Sequence, residues 1–392
     1  LHFIARYGTI IKKLGGVLVP GKSFLEYVFD KAGIMRIPVF GTLELTARCN
    51  LSCKMCYIHE KENDPLVLQK EQPTEFWLDF IEQAQAMGTL LVLITGGEPL
   101  LRKDFKEIYL ACKKAGLLVS VNTNGTLISS EYVEFFQKYP PFKLNISLYG
   151  ASSTSYEALC GIGQMYERVS GAIRALRAAN VPVKINYTVT EFNHNDTKQI
   201  YDFAKELGVP VQHTTYMFPA VRAAENGVCS SCRVCAEQAA AYAVACDREK
   251  FPPEIFMQRA KALAEGYDLP KVGDEDPLRA PKERIFCRAG VCSFWLTYDA
   301  RLLPCGMLHC PSVPLDRPFA ELWETLKELT QEIYLPQKCS DCKKRPYCEV
   351  CAAVCYGENG RFDEVPEYMC RKTEAFLKQM NTIYKEEFYE NQ

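Results

Sequence analysis

Along residues 41–217 the chain repeats one pattern: a β-branched apolar run, a turn, then a longer stretch with helical period. The apolar runs are GTLELT (41–46), LLVLIT (90–95), LLVSVN (117–122), KLNISL (143–148), VKINYTV (183–189) and VQHTTYM (211–217). Continuous apolarity in several of them marks strands buried on both faces. Between the first two, Trp77, Phe80, Ile81 and Ala84 recur at i, i+3, i+4 and i+7, with Thr74 in place to cap a helix. Gly88, Gly116 and Gly208 each stand just before the next strand, where a helix C-terminal cap belongs. Six alternating units predict an α/β fold with a parallel sheet, too few for an eightfold barrel.

The regularity stops after Arg222. Residues 223–282 form a bridge, with an alanine-rich helix around 236–246 and the proline- and charge-rich linker DLPKVGDEDPLRAPKER. A loop-rich module follows over 283–370, and an amphipathic helix closes the chain at 371–392. Residues 1–40 precede the first strand as a helical extension.

The 392 residues are 48% hydrophobic, enough for a large core plus a second module. The formal charge of -2 and the lack of any Lys/Arg-dense stretch argue against nucleic acid. No apolar run reaches the roughly 20 residues of a membrane span. Arg6, Lys12 and Lys13 interrupt the opening segment where a signal peptide needs an unbroken centre. A cytoplasmic protein is expected. Nineteen cysteines in such a chain point to metal binding or chemistry. Cys112, Cys160 and Cys246 are isolated and read as small buried hydrophobes; most others are grouped.

Cys49, Cys53 and Cys56 lie together at the end of the first strand, spaced C-x3-C-x2-C. A structural zinc site wants four ligands; three thiols hold a [4Fe-4S] cluster with one iron left open. Ligand loops in parallel sheets lie at the C-terminal strand ends, and other motifs cluster there too: GGEPL (96–100), NTNG (122–125) and SLYG (147–150). GGEPL reads either as a plain strand-to-helix turn or as a close ligand approach with Glu98 accepting from an ammonium group. NTNG fits turn chemistry or ligand binding equally.

The three-cysteine loop with GGEP resembles the radical S-adenosylmethionine (SAM) enzymes over about 41–222. That resemblance implies a partial (β/α)6 barrel, with Cys49, Cys53 and Cys56 holding the catalytic cluster. Gly96, Gly97 and Glu98 would then face the methionine amino group, and Asn122 and Ser147 the ribose or carboxylate. Arg168 would pair with the carboxylate. Met55 stands where the family usually has an aromatic residue.

The blocks from Cys287 to Cys370 resemble the SPASM extension of that family, which carries two auxiliary [4Fe-4S] clusters. The resemblance implies Cys339, Cys342, Cys348 and Cys370 for one cluster. Cys287, Cys305 and Cys351 go to the other, with Cys292 as a fourth ligand and Cys355 as the substitute for Cys351. A pair of zinc ribbons would also use the C-x2-C pair of this module. The family's hairpin glycine is replaced by Ala300. Cys229, Cys232 and Cys235 form a further group with ligand-like spacing, and Cys310 is left unassigned.

The resemblance implies hydrogen abstraction from a peptide or protein, with SAM and three [4Fe-4S] clusters as cofactors and reduced flavodoxin or ferredoxin as electron donor. Sulfatase maturation is a lesser reading, because Gly306 stands where those enzymes carry an Asp. A small-molecule oxidase or mutase of the same superfamily also fits the motifs, and a non-catalytic iron-sulfur electron carrier would need the clusters without the GGEP pocket. Tyr216 and Arg222, at the end of the sixth strand, either meet substrate or are a packing aromatic and a surface charge.

Overall fold

In a computed structural model, the structure describes residues 11–14, 17–20, 24–58, 60–219, 232–266 and 287–390. The six expected strands are present: β1 (Phe40–Glu44), β2 (Leu91–Thr95), β3 (Leu118–Thr123), β4 (Lys143–Ser147), β5 (Val183–Thr188) and β6 (Val211–Thr214). They are parallel neighbours in sequence order. The chain is α/β with a partial, open barrel, and the sheet does not close on itself.

Helices Thr74–Ala86, Phe105–Lys114, Ser130–Lys138, Met165–Ala178 and Thr197–Leu207 cover one face. The 3.6-residue period that predicts the first holds, since Trp77, Phe80, Ile81 and Ala84 are all buried. Gly88, Gly116 and Gly208 take φ of 89°, 79° and 61°, the left-handed cap that favours glycine. Thr74 is not the cap. It is the first helical residue, Pro73 takes the cap position, and the Thr74 hydroxyl donates to Asp104 at 2.7 Å.

The cysteine-rich region continues the same sheet. Strand β7 (Ser293–Leu296) pairs in parallel with β1, and β8 (Arg301–Leu303) and β9 (Val313–Pro314) extend it antiparallel. An aromatic cluster fixes this junction: Phe294 and Phe319 lie 4.8 Å apart, and Phe80 of the first barrel helix lies 5.7 and 5.0 Å from them. Each such pair adds about 0.5–1.5 kcal/mol beyond burial. Gly41 admits this packing, because a Cβ there would stand 2.4 Å from the Phe294 ring.

Two expected boundaries move. The N-terminal extension holds an antiparallel pair, Ile11–Leu14 with Val17–Pro20, before its helix Phe24–Met35. The closing helix begins at Glu367, so Cys370 sits inside its first turn. That helix packs against Ala236–Lys250 and Pro253–Ala264, the two helices of the bridge. Among the described residues, no helix is long and apolar enough to cross a membrane.

Candidate active site

Past β1 the chain runs alongside the GGE turn. Gly97 N-H donates to Thr46 O and Glu98 N-H to Arg48 O, both at 2.8 Å. A Cβ at position 97 would lie 2.3 Å from Arg48 O, and one at position 96 would lie 2.4 Å from Thr46 O. The two glycines therefore serve a close approach to the protein's own backbone, at the root of the cysteine loop.

Glu98 is wholly buried. Its carboxylate accepts from Leu100 N-H (3.0 Å), the Thr123 hydroxyl (2.8 Å) and Asn124 N-H (2.7 Å). Burial still outweighs these donors and pushes its pKa up to about 7. Glu98 is thus occupied internally, tying the end of β2 to the end of β3, and is not turned toward an open site.

Beneath the loop lies a buried ionic network. Glu71 takes a bidentate pair from Arg48 at 2.7 and 3.0 Å. Arg102 donates to Leu45 O and Gln72 O at 3.1 and 3.0 Å, and holds Asp104 at 2.9 and 2.6 Å. With Thr74, it keeps the Asp104 pKa below the usual carboxylate range despite burial. Planar guanidinium forks of this kind fix geometry as well as charge.

The three loop thiols stand within electrostatic reach of one another. Cys49 Sγ accepts from Leu51 N-H at 3.5 Å and Asn124 Nδ2 at 3.6 Å. Asn124 also donates to Asn50 Oδ1 at 2.9 Å. Cys160 and the Tyr149 phenol lie beside Cys53, and Ser147 lies beside Tyr149. Cys160 is buried in the core, as expected of it, and the backbone bond from Lys54 N-H to Leu159 O at 3.0 Å brings the cysteine loop against its helix. Burial drives the Cys49 pKa far up, and the Cys160 contact followed by burial does the same for Cys53, so both stay thiols until a cation is near. Three soft donors in an apolar pocket, with N-H groups aimed at sulfur, fit an iron-sulfur cluster. Among the described residues, no three His, Cys, Asp or Glu side chains close on a single metal centre.

The other expected cofactor contacts divide. Asn124, rather than Asn122, reaches the cysteine loop; Asn122 lies in the barrel lumen, accepting from Asn145 Nδ2 at 2.8 Å. Ser147 reaches the loop only through Tyr149. Arg168 is exposed on its helix, while its neighbours Val169 and Ser170 face inward. Tyr216 is a buried packing aromatic whose hydroxyl donates to Glu358 at 2.5 Å. Arg222 and Cys229 lie outside the described residues. Cys232 is buried and Cys235 exposed.

In the second module, Cys339, Cys342, Cys348 and Cys370 line one cavity of about 230 Å³. Cys287 lies within electrostatic reach of Cys351 and Cys305. Cys292 is elsewhere: it is buried with Ala32 and Val39, beside the N-terminal helix, with Phe29 O at 4.0 Å. Cys355 is buried between the two groups, near Cys339 and Cys351. Gly306 packs on Trp295, where a Cβ would stand 2.7 Å from the indole, so no Asp fits there. Trp295 in turn donates to Glu44 at 2.8 Å. The Arg48-Glu71-Arg102 network and Trp295 have no motif to announce them, and Tyr149 lies in SLYG without being singled out there; only the fold brings these distant positions together.

A partial parallel barrel with a three-thiol loop at its strand ends defines a cluster-binding enzyme class. Residues 43–219 match the family model described as the radical SAM superfamily. Residues 43–219 carry a radical SAM domain, and that family implies SAM and a [4Fe-4S] cluster. It is 28% identical over 339 residues to the AdoMet-dependent heme synthase of Methanosarcina barkeri, covering 83% of this chain and 94% of that protein. It is 30% identical to the PqqA peptide cyclase of Gluconobacter oxydans, covering 44% and 48%. Streptococcus suis SuiB bound to its precursor peptide SuiA superposes with a TM-score of 0.63 at 18% identity, covering 87% of this chain and 78% of that one. AdoMet-bound anSMEcpe gives 0.63 at 16%, covering 89% and 100%.

Proposed function

We propose that this radical SAM enzyme takes a hydrogen atom from a carboxylate-bearing tetrapyrrole of the heme-forming kind. Cys49, Cys53 and Cys56 would hold a [4Fe-4S] cluster, which when bound would supply the electron for reductive cleavage of SAM and so the hydrogen-abstracting chemistry. The protein's residues do the rest. The Glu98 and Arg48-Glu71-Arg102 bonds hold the loop rigid, the lumen orients substrate, and the apolar thiol pocket excludes water.

The observation that carries the substrate reading is length: the heme synthase likeness covers 83% of this chain and 94% of that protein, whereas the peptide cyclase likeness covers under half of each. We read Cys339, Cys342, Cys348 and Cys370 as holding one auxiliary [4Fe-4S] cluster, and Cys287, Cys305 and Cys351 another. A cytoplasmic setting and reduced flavodoxin or ferredoxin as donor go with this reading.

A second reading is peptide or protein maturation, by thioether or carbon-carbon crosslinking or side-chain oxidation. The shared fold with peptide-bound SuiB favours it. The deciding assay measures 5'-deoxyadenosine under anaerobic reduction, with coproporphyrin III-type substrates against cysteine-containing peptides. Stimulation by the tetrapyrrole and none by peptides is expected, with loss of all cleavage in Cys53→Ala. Stimulation by peptides alone reverses the choice.

A further inference from the structure

We propose that Trp295 is a positioning residue for the Cys305 thiol: its indole, anchored on the barrel by Glu44, is the seat on which the Cys305 turn rests. Strand alternation sets the two ends of this contact on one face of the sheet. Leu43 and Leu45 pack into the core, as do Phe294 and Leu296 of β7. Glu44 and Trp295 stand between them in sequence and so point to the opposite face, the inner wall of the barrel. Trp295 pairs with Thr42 in the parallel register of β7 and β1, and its indole leans along β1 to donate from Nε1 to Glu44 Oε2 at 2.8 Å. Glu44 is wholly buried. An indole has a single donor, so this bond fixes the rotation of the ring.

Gly306 completes the seat. A Cβ at that position would stand 2.7 Å from Cη2 and Cζ2 of the indole and 2.8 Å from Cε2. Nearly equal distances to three consecutive ring atoms place Gly306 over the face of the ring; an edge-on approach would favour one atom. Gly306 is not among the glycines at positive φ, so the position needs the lack of a side chain and not the backbone freedom. The turn above the indole is closed on itself: Leu308 N-H donates to Cys305 O at 2.9 Å and Met307 N-H to Cys305 Sγ at 3.4 Å. A shift of Gly306 therefore carries the thiol with it.

The indole is not needed to join the two modules. Phe294, its neighbour on β7, already does so on the other face, against Phe80 and Phe319. What Trp295 adds is the place of Cys305 relative to the barrel wall. Contacts that orient a metal ligand also tune the metal it holds. The effect on a cluster rests on reading Cys287, Cys305 and Cys351 as its ligands; the seat itself does not.

Both are tested on the reconstituted full chain. Hydrogen exchange of the amides at 305–309, read by mass spectrometry, reports the seat. Trp295→Phe, which lacks the N-H and the outer ring, speeds that exchange about tenfold, and Glu44→Gln, whose amide oxygen still accepts, leaves it as in wild type. Gly306→Ala speeds it in wild type, where the methyl meets the indole, and adds little to Trp295→Phe; such non-additivity marks direct contact. Equal exchange in wild type and Trp295→Phe, or additive effects of the two changes, overturns the seat. The electron paramagnetic resonance signal that Cys351→Ala removes reports the cluster. Its g values shift in Trp295→Phe at unchanged iron content. An unshifted signal overturns the positioning role, whereas faster exchange with no signal lost in Cys351→Ala keeps the seat and removes the three-thiol cluster reading.

Discussion

Glu98 Oε2 accepts the backbone N-H of Asn124 at 2.7 Å, and that bond joins the GGE turn of β2 to the turn after β3. Asn124 carries the connection onward through its side chain to Cys49 and Asn50. A residue that resembles a cofactor contact in sequence is thus a rivet between two loops, one step away from a thiol ligand.

The rivet has a pH signature. With its pKa raised from 4.5 to about 7, folded Glu98 binds a proton more tightly than in the unfolded chain. Its contribution to stability is full below pH 4.5 and is lost as pH rises through 7, in total on the order of 3 kcal/mol. Urea unfolding of wild type and Glu98→Gln at pH 5 and 8 measures this. Wild type loses stability relative to the variant between those values; parallel pH profiles would remove Glu98 as the titrating group.

Tyr149 tunes a ligand without being one. Tyr149 stands beside Cys53, and a phenol hydrogen bond to a cluster sulfur raises the reduction potential. Tyr149→Phe is expected to move the potential of the loop cluster to a more negative value with iron content unchanged, read by a redox titration followed by electron paramagnetic resonance. An unmoved potential shows that the phenol does not reach the sulfur.

The auxiliary ligands separate by variant. Wild type after anaerobic reconstitution is expected to hold about twelve irons per chain. Cys292→Ala keeps that count, because Cys292 packs against the N-terminal helix, whereas Cys351→Ala loses about four. Iron lost from Cys292→Ala would put that thiol back among the ligands.

Ala300 turns the β7-β8 hairpin with φ 59°, where a Cβ costs about 1–2 kcal/mol. Glycine gives back about 0.5–1 kcal/mol in unfolded-state entropy. Ala300→Gly should therefore raise stability by up to about 1 kcal/mol in a denaturant titration. A loss of stability in that titration would mean the methyl group is packed usefully.

Much of the barrel is legible in the sequence because strand and helix periods are local. Alternation, glycine caps and the C-x3-C-x2-C spacing each need only a dozen or so neighbouring residues, and each names its element. The thiol group Cys339, Cys342, Cys348 and Cys370 can be assigned because spacing and resemblance agree. Cys292 cannot, since five residues along the chain say nothing about which face a side chain takes.

What the chain alone determined is the set of elements, their order and the thiols at the first strand end. What the tertiary structure decided is which polar groups meet. Glu98 is turned inward by Thr123 and Asn124, Cys160 is brought against Cys53, and Trp295 of the second module meets Glu44 of the first strand. These pairings cross 25 to 251 positions of sequence, and only parallel strand register, fixed by packing of the whole sheet, sets them.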